Sequence, residues 1–303
     1  MIGYFVRQIL RARCGNRGQA TVLFLVVAGT ILALIFSSIR LQNLFVARVG
    51  GANAADAIAL SAATWEARSL NMIAALNDGI AQCVRAIRWI SVVWAALAVA
   101  AAFGAGLPAF LRYSREAQQR ISAHWDTAHR LAAWSAKLRA AAPYLVLGEV
   151  ASLSAKRHVT GVLKPVNPRG PHDGQDTLEL HLEAGPPLHL SEAVLPLSGV
   201  MNRLKKIRFL KGPAKTVASL LESTLRGLDR FGRGPVRMLV PEKDFPERQF
   251  VRFAGSQPVP ELPIPFLADD GGRRVVSEAQ AEPYGGGIVE MTWKSRLAER
   301  SSE

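Results

Sequence analysis

Residues 17–40 read Arg-Gly-Gln-Ala-Thr-Val-Leu-Phe-Leu-Val-Val-Ala-Gly-Thr-Ile-Leu-Ala-Leu-Ile-Phe-Ser-Ser-Ile-Arg. No charge lies between the two arginines, and as a helix residues 20–39 are about 30 Å long, the thickness of a bilayer core. A buried helix of a soluble protein would carry a polar stripe, and this stretch has none. It predicts a transmembrane helix over 19–39. Ahead of it, residues 1–18 form a basic terminus with Arg7, Arg11, Arg13 and Arg17 and no acid. That bias predicts a cytoplasmic N-terminus. A cleaved signal peptide also begins basic, but its apolar core is shorter, about 7–15 residues.

Composition bounds the rest of the chain. The 303 residues are 49% hydrophobic with a net charge of +13, enough for one large or two small domains. The excess of arginine is scattered, and no helix-turn-helix, zinc or RNA-binding signature accompanies it, so nucleic acid is not an expected partner. Basic charge beside a membrane span suits anionic lipid instead. Cys14 and Cys83 lie on opposite sides of the first span, which argues against a disulfide between them. No cysteine–histidine spacing suggests a metal site.

The chain changes character near residue 159. Of 17 prolines only Pro108 and Pro143 come before residue 160, and the first half is rich in alanine. Proline breaks helix interiors and alanine favours them, so residues 1–158 read as mostly helical. Residues 159–303 read as mixed strand and helix. The class expected is a membrane-anchored α+β protein: a long transmembrane and extended helix, an alanine-rich helical middle (112–158), and a mixed α/β C-terminal region. After Arg40 the helical pattern continues to about residue 86, with Gly50-Gly51 as its weak point. Ala55, Ala59, Ala62 and Ala63 share one face of it. Small faces let backbones approach closely, either against another copy or against the chain's own C-terminal region.

The order of these features resembles the TadE/TadG-like proteins of Flp (tight-adherence) pilus assembly. The residues that carry the resemblance are Arg17-Gly18-Gln19, Leu41-Gln42-Asn43 and Ala54-Ala55-Asp56-Ala57-Ile58-Ala59-Leu60. They bracket the membrane helix and cover about a sixth of the chain. Ala67-Arg68-Ser69-Leu70-Asn71-Met72-Ile73-Ala74 looks like an extension of the same segment, and the closing stretches 279–284 and 293–297 are similar in flavour. The resemblance implies a non-enzymatic component of the bacterial inner membrane that works with pilus or secretion machinery. Gly18, Gln19, Ala55, Asp56, Ala59, Leu60 and Ala62 would be its motif and helix-packing residues. Pilin-like members are cleaved after a glycine and carry glutamate five residues on. Counted from Gly18, that position is Leu23, and the span contains no acid. A buried carboxylate of that kind pairs with a neighbouring subunit inside lipid. Its absence predicts a retained anchor rather than a processed subunit.

A second uncharged run, Trp89 through Leu111, is long enough to span a membrane and is flanked by Arg85, Arg88, Arg112 and Arg115. Alanine and glycine dilute it, and Leu, Ile, Phe and Val supply only nine of its 23 residues. It is either a second transmembrane helix or a buried or surface-lying apolar one. One span places the C-terminal region in the periplasm, as the resemblance implies. Two spans return it to the cytoplasm.

Further on, Leu131, Ala132, Trp134, Leu138 and Ala141 recur at helical spacing, and Pro143 is expected to open a new helix to Leu153. Residues 177–183 alternate as a strand, and Leu188-His189-Leu190 is its expected hairpin partner. Ser198 is expected to cap one helix and Pro213 to open another through Leu228. Strands are expected near 236–240, 248–254, 273–281 and 287–293. Arg203, Lys205, Lys206 and Arg208 belong to an acid-free basic stretch that suits either lipid or an acidic partner, or a plain solvated face. Signs of catalysis are few. The six histidines, His124, His129, His158, His172, His181 and His189, show no ligand spacing. Gly285-Gly286-Gly287 lacks the residues of a phosphate loop. No catalytic residue, metal or cofactor is assigned. The alternative is a membrane-tethered enzyme or ligand-binding domain with its site in 160–303.

Overall fold

The computed structural model describes residues 16–165, 180–194, 197, 199, 202–203, 213–231, 234–243, 245, 249–259 and 272–298. Helix α1 runs unbroken from Asn16 to Ala102. Helix α2, Leu107–Arg157, returns antiparallel along it. Around this hairpin lie β1 (Thr160–Pro165), β2 (Leu182–Ala184), α3 (Leu190–Ala193), α4 (Pro213–Phe231), β3 (Leu239–Pro241), β4 (Val251–Pro258), β5 (Arg274–Tyr284) and β6 (Lys294–Leu297). An antiparallel sheet has the order β1-β4-β5-β6, and β2 pairs with β3. The protein is thus mostly helical, with a long apolar N-terminal helix and a small antiparallel sheet in its C-terminal region.

The first part of α1 stands apart from the rest. Among the described residues α1 is the one helix long and apolar enough to cross a membrane, and none of its most apolar 18-residue window is buried in the molecule. Leu23, Phe24, Leu25 and Leu34 are all exposed. From Ala47 onward α1 enters the fold, and its buried positions then recur every three or four residues. Among the described residues three cores follow one another along it. The first packs Ala54, Ala55, Ile58, Ala59, Ala62 and Ala63 against Val146 and Val150 of α2 and Val251, Phe253, Ala279 and Ala281 of the sheet. The second joins Leu70 and Ile73 to Ala142, Leu180, Leu182 and Phe245. The third joins Ile80, Ile87, Trp94 and Ala98 to Phe110, Ile121 and Trp125 of α2, and to Leu190, Val217 and Leu221. The compositional change at residue 159 is therefore no boundary between cores, because each core draws on both halves.

Gly50-Gly51 is a point of close approach inside the continuous helix. A Cβ on Gly51 would stand 2.9 Å from the Ser277 hydroxyl of β5, and one on Gly50 3.7 Å from Gln257. Glycine there lets the sheet sit against the helix backbone. Pro143 also lies inside a helix, α2, and opens no new one. Its missing N–H costs about 3 kcal/mol in a helix interior. The helix continues because Ala142 and Val146 on either side are buried against the rest of the fold. The outer face of α2 also departs from expectation: Trp134 and Ala141 point outward, and the buried line runs through Ile121, Trp125, Ala128, Ser135, Ala142 and Val146.

Residues 89–111 are not one helix. The N–H of Ala105 donates to Ala100 O and that of Gly104 to Ala101 O, each at 3.0 Å, the paired bonds of a Schellman turn. Gly104 and Gly106 have φ of 85° and 77°, which glycine adopts without strain. Pro108 lies in the first turn of α2. The run is the reversal of a helical hairpin, joined across by Trp94 Nε1 donating to Ser114 Oγ at 2.8 Å.

The strands differ in detail from the sequence reading. β2 pairs with β3, and Leu188 bridges to Val236, so 182–190 does not fold back as a hairpin on itself, while residues 177–179 of the expected strand lie outside the described residues. Leu190 belongs to α3. Residues 287–293 are irregular, and the strand begins at Lys294. The helix from Pro213 forms as expected.

Replacing Gly51 with valine should lower the stability of the purified chain by about 1–3 kcal/mol in chemical denaturation. The control Gly29→Ala, whose Cβ meets nothing within 4 Å, should leave stability unchanged or slightly raised. Equal effects at the two sites would show that α1 and β5 are not in close contact.

Candidate functional site

The buried line of α1 carries polar as well as small residues. Counting from Ala55, Ala59 and Ala62, the same helical phase passes through Glu66, Leu70, Ile73, Asn77 and Ile80, all buried. The asparagines tie the helix to the end of the chain. Asn71 Nδ2 donates to Trp293 O and its Oδ1 accepts from Trp293 N, both at 3.0 Å, so the side chain replaces a strand partner. Asn77 Nδ2 donates to Leu239 O at 2.8 Å and Ile288 O at 2.9 Å, satisfying carbonyls of β3 and of the irregular segment together. Thr64 Oγ1 lies 2.8 Å from Ser295 Oγ of β6. The Trp293 ring packs on Phe245 at 5.1 Å between centroids and against Gly286, where any Cβ would fall 2.6 Å from the indole. Three side chains of one helix thus fix a segment that makes little regular structure of its own.

Glu66 is the unusual member of this line. It is 1% exposed, and one of its carboxylate oxygens has no hydrogen-bond partner among the described residues. Burial raises its pKa from 4.5 to about 7, and the hydrogen bond from Gln249 partly offsets this. Gln249 is itself buried and accepts the His181 N–H through Oε1 at 3.0 Å. Glu66, Gln249 and His181 therefore form a chain from the core toward Glu242, whose carboxylate is 3.8 Å from His181 Nδ1.

The residues singled out in the sequence fall in different places. Ala55, Ala59 and Ala62 are completely buried by the chain's own sheet and α2, so this face is not open to a second copy. Asp56 and Leu60 flank it, half-buried. Gly18 and Gln19 lie in the first turns of α1. Arg203 is exposed, while Lys205, Lys206 and Arg208 lie outside the described residues. His181 and His189 flank opposite ends of the ladder formed with residues 236–241. His129 packs edge-on to Trp125, and His172 lies outside the described residues. Among the described residues no group of three or more histidines, cysteines or acids is placed to hold a metal ion. Cys83 is a free, buried thiol whose pKa burial raises.

Glu66, Asn71 and Asn77 do not stand out in the sequence, because a charged or amide residue on an alanine-rich helix normally faces water. Phase marks two of them, Glu66 and Asn77, which stand seven and fifteen residues beyond Ala59 and Ala62, whereas Asn71 lies off that face and carries no such signal. The chain matches no family model, no curated protein and no solved structure.

Two outcomes test this geometry. Asn71→Leu removes a donor and an acceptor from the Trp293 backbone and should cost about 2–4 kcal/mol. Limited proteolysis should then cut within 285–298 before elsewhere, and uniform protection would contradict the clamp. The Glu66 carboxyl holds its proton in the folded chain at pH values where the unfolded chain has released it. Its contribution is therefore fully present below about pH 4.5, and stability falls as pH rises toward about 7, by on the order of 3 kcal/mol. Glu66→Gln should flatten that window and leave the variant more stable than the parent above pH 7. An unchanged pH slope in denaturant titrations would show that Glu66 does not titrate there.

Proposed function

We propose that this protein is a non-enzymatic, membrane-anchored scaffold of a Flp/Tad-type pilus assembly or secretion apparatus. It sits in the bacterial inner membrane with its N-terminus in the cytoplasm. The observation that supports this most is the continuity of α1. The exposed apolar stretch 20–39 passes without a loop into the buried line that organises all three cores. A lipid-spanning segment built this way would hold the folded region at a fixed distance and angle from the membrane, which is what a positioning component requires.

The hairpin at 103–106 favours one span over two, and with one span the folded region lies in the periplasm. The motif residues around Ala55 then have an internal role, holding the sheet on the helix. Contacts with machine partners would use outer surfaces, such as that of α2, where Trp134, Tyr144 and Leu147 are exposed. The lack of an acid at Leu23 supports a retained anchor over a processed filament subunit.

Crosslinking in intact cells followed by purification of the full chain should recover the secretion ATPase platform or pilus subunits. Recovery of none of them would remove the specific assignment. A cysteine introduced at exposed Leu297, on a Cys14→Ser background, should react with a membrane-impermeant maleimide once the outer membrane is permeabilised. Labelling only after the inner membrane is lysed would place the C-terminal region in the cytoplasm.

A further inference from the structure

The tip of the α1–α2 hairpin is apolar and open. Phe103 is 68% exposed with Val99 and Leu111 exposed near it, and Trp89 (70% exposed), Val92 and Val93 continue the apolar surface to and below the level of Arg112 and Arg115. Residues 89–111 contain no charge, while residues 79–125 contain five arginines and one acid, Glu116. That acid is already shared between Arg112 at 3.6 Å and Arg120 at 3.8 Å. Arg88 and Arg115 are exposed below the tip, and Arg85, also exposed, pairs with Asp78 at 3.3 Å.

The hydrogen bond between Trp94 and Ser114 fixes the level of the two helices. Arg112 and Arg115 stand beside residues near 93–96 of α1, and from there to the turn is about six residues, or roughly 9 Å. Apolar surfaces that bind the lipid interface sink about 5–10 Å, with basic residues left at the head groups and tryptophan near the boundary. A second copy of the tip would bring two arginine collars together and is disfavoured. An anionic surface neutralises them.

We infer that the hairpin tip docks on an anionic lipid surface, entering it as far as Arg112 and Arg115. About 95 Å of helix separates the tip from the end of the 20–39 segment, so the surface reached is that of a second bilayer facing the one that holds the anchor. This facing arrangement rests on the anchoring proposed above, whereas docking of the tip does not.

The test uses the full chain held in nanodiscs of phosphatidylcholine. It is mixed with vesicles of phosphatidylcholine alone, or of equal parts phosphatidylcholine and phosphatidylglycerol. An environment-sensitive dye is attached at Phe103→Cys on a Cys14→Ser background. Expected are co-flotation with the anionic vesicles only and a blue shift of the dye. Arg112→Gln and Arg115→Gln should each weaken partitioning roughly 5-fold, and Phe103→Ser roughly 10-fold. All three side chains are exposed, and retained helical circular dichroism checks that each variant folds. Equal flotation with both vesicle types, no dye shift, or full binding by the three variants would overturn the inference. Capture of the tip by a protein without vesicle binding would overturn it as well. If the chain does not enter nanodiscs, the anchoring reading fails separately, and the dye still reports docking when chain and vesicles are mixed directly.

Discussion

The close approach of a sheet to the small-residue face of one helix is the contact on which the rest of this molecule depends. Ala55, Ala59, Ala62 and Ala63 present almost no side chain, and Gly51 presents none, so β4 and β5 can lie directly on α1. The bulk is supplied from the other side by Phe253, whose ring occupies the space that Cβ atoms on Gly161 and Gly255 would fill. Protein interiors tolerate few voids, so small residues on the helix require a large one on the sheet. The same helix then carries the asparagines that hold β3 and the closing segment. Without α1 in place, the C-terminal elements have neither an apolar floor nor partners for the Trp293 and Ile288 backbone.

This dependence explains why, among the described residues, each core that the C-terminal region enters is shared with the helical hairpin. The four-stranded sheet has one covered face, and α1 and α2 cover it. Two-stranded β2–β3 is too small to be stable alone and sits over Leu70 and Ile73. The helices α3 and α4 pack at the far end of the hairpin. The buried Glu66 lies among these cores, where charge costs more than it returns and the hydrogen bond from Gln249 offsets only part of that cost. Its position links the packing of the helix to pH without requiring any catalytic role.

Much of the helical half was legible in the sequence. The apolar stretch 20–39, the continuation past Arg40 and the small face at Ala55 follow from charge, length and periodicity. What failed were mostly features set by tertiary contact, together with one local turn. Pro143 reads as a helix start, yet packing on both sides of it keeps α2 continuous. Trp89–Leu111 reads as a span by length, although Gly104, Gly106 and Pro108 encode a reversal within it. In the C-terminal half the strand partners could not be inferred, because β2 pairs across more than fifty residues with β3. Short strands with equal propensity offer no local signal for such a pairing. Glu66 and Asn77 were readable only from helical phase, Asn71 lies off that line, and helical propensity says nothing about which face is buried.

The continuity of α1 from the exposed apolar stretch into the first core is tested most directly by a distance. Spin labels at Phe36→Cys and Arg68→Cys, on a Cys14→Ser background, lie near one face of α1 and are separated by about 48 Å if the helix is unbroken. Pulsed electron resonance on the full chain in nanodiscs should give one narrow distribution near that value. A broad distribution, or one centred well below it, would mean a hinge between the apolar stretch and the fold, and the fixed positioning of the folded region would be lost.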